Sequence, residues 1–175
     1  MIKQFLILSF VLVLGFANAQ DKIFWDKERK LDWLDFQSKT GSSASKTAAT
    51  TFCGISYSLN SSTKKFTNKQ VKIHSFFVPS KSWAHRDHKT DLILMHEQSH
   101  FDIAELFARK FRKAISGRSL DAKTLHSYYE KTYDDYKAYQ QQYETATNHG
   151  RIRDKQYEYS QMIDEEIERL ADFRI

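Results

Sequence analysis

Thr90-Asp91-Leu92-Ile93-Leu94-Met95-His96-Glu97-Gln98-Ser99-His100-Phe101-Asp102-Ile103-Ala104-Glu105-Leu106-Phe107-Ala108-Arg109-Lys110-Phe111 is the stretch on which the fold turns. Leu92, His96, His100, Ile103, Phe107 and Phe111 recur at steps of three and four, which places them on one face of an α-helix. Thr90 or Asp91 can cap its start, and Gly117 follows its expected end near Ser116. Both histidines therefore sit inside the apolar stripe, where a polar ring needs a partner.

Upstream of this helix the pattern changes period. Cys53, Ile55, Tyr57 and Leu59 alternate with polar residues, as do Val71, Ile73 and Phe77. Alternation on both sides of a polar turn at Asn60-Ser61-Ser62-Thr63 predicts an antiparallel hairpin. Pro79 ends its second strand, because proline cannot donate to a ladder. Downstream, helices are expected over Asp121–Thr147 and about Asp154–Leu170, separated by Asn148-His149-Gly150. Strands first and helices afterwards predict an α+β fold. The expected architecture is a small N-terminal antiparallel sheet packed on about three C-terminal helices, a zincin-like arrangement.

The first residues read as a signal peptide. Lys3 gives a positive start, Phe5 to Phe16 an apolar run, and Ala17-Asn18-Ala19 the small residues of a cleavage site. Residues 1–19 are then removed and 20–175 form a single domain, exported to the periplasm or the medium. The run is too short for a bilayer span of roughly 20 residues, so no stable membrane anchor remains after cleavage. Cys53 is the only cysteine, so no internal disulfide can form; it reads as a small buried hydrophobe. The net charge of +5 is a mild excess, with acidic residues mixed among the basic ones, which argues against a nucleic-acid partner.

His96-Glu97-Gln98-Ser99-His100 carries the chemistry. Residues four apart on a helix point within about 40° of each other, so both imidazoles can reach one metal ion. Glu97 lies at the edge of that face, where it can take a proton from a water that the metal activates. Zinc is the expected metal for this ligand set. A catalytic zinc site takes three protein ligands, and two candidates for the third stand out. His149 precedes Gly150 in a turn that can bend back toward the first helix. Glu130, with Asp134 one turn on, is the other, although charged residues at this spacing are common on solvated helical faces. Glu105 falls about 180° from His96 and should instead pair with Arg109.

Leu94 to Leu106 closely resembles a family of exported bacterial proteins known as domain of unknown function 922, often labelled zinc-dependent proteases. Leu31-Asp32-Trp33-Leu34-Asp35-Phe36 resembles its opening motif. Thr47-Ala48-Ala49-Thr50 and Gly54-Ile55 are similar to its first strand, and Ser82-Trp83 to its pre-helix segment. Thr147-Asn148-His149-Gly150 is similar to its late His-Gly element, which favours His149 as the third ligand. The resemblance implies a zinc hydrolase acting on a peptide or protein substrate, cell-wall peptides included. The competing expectation is a non-catalytic, zinc-stabilised binding or structural protein of the cell envelope.

Overall fold

The computed structural model describes residues 21–39 and 47–175, so the expected signal segment lies outside the described residues. Helix α1 (Asp91–Ile115) is the element on which everything else is packed. The Thr90 hydroxyl accepts from Ile93 N–H at its start. Residues 101–109 are buried on every side, because α1 has the sheet on one flank and two helices on the others. Ile103, Ala104, Leu106, Ala108 and Phe111 are fully enclosed and form the middle of the core. Helices α2 (Ala122–Thr147) and α3 (Arg153–Arg169) cover α1 from the C-terminal side.

The strands are β1 (Ile23–Phe24), β2 (Ala49–Thr50), β3 (Cys53–Leu59), β4 (Phe66–Thr67), β5 (Val71–Phe77), β6 (Trp83–Ala84) and β7 (Ser119–Leu120). They make a three-stranded sheet in the order β1-β5-β3 and the two-stranded pairs β2-β6 and β4-β7. All of these pairings are antiparallel. The expected hairpin is present as β3 and β5, with Cys53 opposite Phe77 and Leu59 opposite Val71. Its connection is longer than the four-residue turn expected. It carries β4, which crosses to pair with β7 after α1, and a short 3₁₀ turn over Asn68–Gln70. Ile73, Ser75 and Phe77 face inward along β5, and Phe77 packs edge-on to Phe36 and tilted to Phe101. The α+β class expected from the sequence is the class observed.

The segment after β1 is pinned to α1 by side chains of that helix itself. Gln98 Oε1 accepts from Leu31 N–H at 2.7 Å, and Asp102 accepts from both Trp25 Nε1 and Gln98 Nε2. The opening motif then closes in a capping box, with the Asp35 carboxylate accepting from Asp32 N–H at 2.9 Å. Asp102 is thus a structural tie. Burial pushes its carboxyl group above the usual range, and Lys30 at 3.6 Å only partly offsets that.

Candidate metal centre

His96 and His100 rise one turn apart from α1, and α2 runs antiparallel beside them. Tyr143 stacks on His96 with ring centroids 4.9 Å apart, and Gln140 lies against His100. This register brings Glu144 of α2 over both imidazoles. Glu144 Oε1 is 3.1 Å from His100 Nε2, and Glu144 Oε2 is 3.6 Å from His96 Nε2. The two Nε2 atoms face each other at 3.1 Å. Ligand atoms of His96, His100 and Glu144 all lie within 4.8 Å of one another. Tetrahedral coordination with bonds of about 2.0–2.2 Å needs ligand atoms roughly 3.4 Å apart, so the cluster has the dimensions of a zinc site.

The electrostatics agree with the geometry. Burial works against a charged Glu144, but the His100 and His96 imidazoles outweigh it and hold the carboxyl well below the usual range. For His100, burial favours the neutral ring, yet Glu144 and Glu97 together raise its pKa above the ordinary value. Glu97 is only 4 % exposed, and its Oε2 has no hydrogen-bond partner. Glu144 Oε2 also lacks one, since His149 Nδ1 approaches to 2.7 Å off the hydrogen-bond direction. Buried carboxylate oxygens without donors are costly unless a cation or water completes them. The donor set of two imidazoles and one carboxylate, with these unpartnered oxygens beside it, fits a divalent metal.

The third position of the cluster differs from the expectation. His149 stands outside the converging group: its side chain is 54 % exposed, and its Nδ1 meets Glu144 Oε2 at 2.7 Å. Glu130 is exposed and paired with His126 at 3.4 Å, while Asp134 pairs with Lys137. Both belong to a solvated face of α2. Glu144 is the residue that sequence reasoning missed. The signal was available in the hairpin geometry: α1 and α2 are joined by a short connection, so residues equally far from it face each other. That places the stretch around 137–141, one turn before Glu144 and well past Glu130, opposite the histidines. Glu105 pairs with Arg109 at 2.9 Å, as its position on the helix required.

The turn after α2 shapes the site. Asn148, His149 and Gly150 all have positive φ, at 48°, 56° and 74°. Asn148 tolerates this conformation as a helix C-cap, and Gly150 adopts it without strain. Gly150 is also required for space, because a Cβ there would lie 2.9 Å from Cγ of His96. Thr147 ties the turn down, donating to the Tyr143 carbonyl at 2.8 Å and accepting from Gly150 N–H at 3.2 Å. The Thr-Asn-His-Gly sequence is therefore a wall built flush against His96.

The cluster forms the floor of a cleft of about 430 Å³. Residues 47–51 form one wall, the first turn of α1 and His88 another, and His149 to Arg151 a third. Cys53 lies behind the floor, with Sγ 3.4 Å from the His100 carbonyl, and burial pushes its thiol up to about 12. It is a thiol at neutral pH and not a nucleophile. The tyrosines of α2 mainly pack: Tyr129, Tyr133 and Tyr136 contact one another ring to ring, and Tyr136 and Tyr139 flank Phe107.

A helix-borne His-Glu-x-x-His pair completed by a carboxylate from a neighbouring helix defines a candidate mononuclear metal centre in an open cleft. The chain belongs to the family described as bacterial protein of unknown function (DUF922), whose model matches residues 28–150. No curated protein and no solved structure matched the chain.

Proposed function

We propose that this protein is an exported zinc-dependent hydrolase that cleaves peptide or amide bonds, with His96, His100 and Glu144 as metal ligands and Glu97 as general base. The zincin-like arrangement expected from the motif is part of the same proposal. The observation that carries it is the unpartnered, buried Oε2 of Glu97 beside three convergent ligand atoms at the floor of an open cleft. Zinc held there supplies a Lewis acid that polarises a carbonyl and acidifies a water in its reach. Glu97 accepts the proton of the attacking water and delivers it to the departing nitrogen.

Strand β2 supports a peptide substrate. The His85 N–H donates to the Ala48 carbonyl at 2.8 Å, so Ala48 and Thr50 bond β6. By alternation, the N–H and carbonyl of Ala49 point to the opposite edge of β2, whose residues line the cleft. An extended peptide can add there as a further strand, which lays its backbone across the cluster. The open cleft above three protein ligands favours turnover over a purely structural zinc, which takes four.

The test uses the chain lacking residues 1–19, loaded with zinc, against peptide libraries and cell-wall peptides. Hydrolysis that falls by about 10²–10⁴-fold in Glu97→Gln, with zinc retained, is expected. No hydrolysis by the loaded protein, or equal hydrolysis by the variant, overturns the proposal.

A further inference from the structure

We infer that Gln140 and Gln156 lock the two ligand imidazoles, whenever they are neutral, in the Nδ1–H form, which turns both Nε2 atoms toward the place a cation would take and makes α3 part of the metal centre. Gln156 lies on α3, beyond the residues 28–150 matched by the family model.

The assignment follows from counting protons. Gln140 Nε2 donates to the His100 carbonyl at 2.9 Å, which fixes the orientation of its amide. Its Oε1 is then the atom that meets His100 Nδ1, and an amide oxygen only accepts. The proton between them therefore belongs to His100 Nδ1. Gln156 is fully buried, and its amide is oriented by two hydroxyls. Ser99 Oγ gives its proton to the Met95 carbonyl at 2.9 Å, and Tyr143 gives its own to the His96 carbonyl at 3.4 Å. Both hydroxyls can then only accept from Gln156 Nε2, as they do. This leaves Gln156 Oε1 facing His96 Nδ1 at 2.9 Å, so that ring also carries its proton on Nδ1.

When both rings are neutral each has one proton, so both Nε2 atoms present lone pairs toward each other at 3.1 Å, with Glu144 Oε1 a further 3.1 Å from His100 Nε2. Lone pairs and a carboxylate at that distance repel, and either a proton on His100 Nε2 or a metal cation among the three atoms relieves it. Carboxylates often fill this supporting role and raise the basicity of a ligand histidine. An amide fixes the direction of the ring without adding charge. The two glutamines thus preorganise the site while leaving its metal a stronger Lewis acid than aspartates would. They are positioning residues acting through His96 and His100.

The tautomer claim stands apart from the enzyme reading, and only its metal arm rests on the metal centre. Long-range ¹H–¹⁵N correlation on the metal-free protein, at a pH that neutralises both rings, reads the tautomers directly. His96 and His100 should both show a protonated Nδ1 and a pyridine-like Nε2; an Nε2–H form of either ring overturns the inference. Zinc affinity measured by chelator competition gives the second reading. Gln140→Leu and Gln156→Leu should each weaken binding by about 10–100-fold, whereas Gln156→Glu restores or tightens it. Unchanged affinity in the Gln140→Leu protein, which removes a partly exposed side chain, also overturns it. A protein that binds no zinc at all defeats the metal-centre reading, while the metal-free spectrum still decides the tautomers.

Discussion

Helix α1 carries two buried charged clusters, and only one of them is closed. Toward its C-terminal end, Glu105 accepts at Oε1 from Arg109 Nε at 2.9 Å and from Arg112 at 3.1 Å. Its Oε2 accepts from Ser75 Oγ at 2.7 Å and from Arg112 at 3.3 Å. The arginines spend their remaining donors on the carbonyls of Ile167, Ile73 and Phe173. This cluster stitches β5, α1 and the end of α3 together and has no unmet polar atom at its carboxylate. Two turns earlier, Glu97 and Glu144 each retain an oxygen without a hydrogen-bond partner, and two imidazole nitrogens face each other. Glu97 and Glu105 are equally buried, while Glu144 opens onto the cleft. What separates the two clusters is completeness: the first satisfies itself, and the second keeps the unmet oxygens on which the proposed metal centre rests.

That contrast can be broken or sharpened by mutation. The largest effect on folding belongs to the closed cluster. Glu105→Ala leaves two buried guanidinium groups without their carboxylate and should cost about 3–5 kcal/mol in denaturant unfolding, with the zinc stoichiometry of folded protein unchanged. Gly150→Ala comes next. It forces an alanine to a φ of 74° and a Cβ into His96, so it should cost at least about 1–2 kcal/mol and weaken zinc binding as well. In the open cluster, Glu97→Gln should change stability by no more than about 1 kcal/mol, and toward greater stability, because it removes a buried carboxylate whose Oε2 meets no donor. A loss of several kcal/mol in Glu97→Gln would erase the distinction between the two clusters.

A smaller, directional effect concerns pH in the metal-free protein. Glu144 has its folded pKa below its ordinary value of 4.5, so its contribution is present above that pH and is lost as pH falls toward the folded value. His100 has its folded pKa above 6.5, so its contribution is complete below that pH and is lost as pH rises through the folded value. Stability should therefore peak between the two limits. Glu144→Gln should flatten both flanks in thermal melts across pH, and a variant that keeps the full profile would remove the ion pair from the account.

Much of this was legible because local patterns carried it. The Thr90 cap, the apolar stripe from Leu92 to Phe111 and Gly117 bounded α1 closely, and alternation in Cys53–Leu59 and Val71–Phe77 marked the paired strands. The pairs β4-β7 and β2-β6 escaped notice, since two-residue strands have no period and depend on contacts distant in sequence. Glu97 and both histidines were set by spacing on one helix. Glu144 was not, because it lies in an ordinary polar stretch of α2, and only the packing of that helix against α1 turns it inward. The two glutamines are less visible still: nothing in the sequence marks an amide that orients a ring.

The central claim is that Glu144, not His149, completes the metal centre. Zinc content and affinity of Glu144→Ala beside His149→Ala, each confirmed as folded, test it directly. The account predicts one zinc per chain in the unmutated protein, loss of that zinc in Glu144→Ala, and its retention in His149→Ala. Zinc lost only from the His149 variant would contradict it and assign the third ligand to the turn.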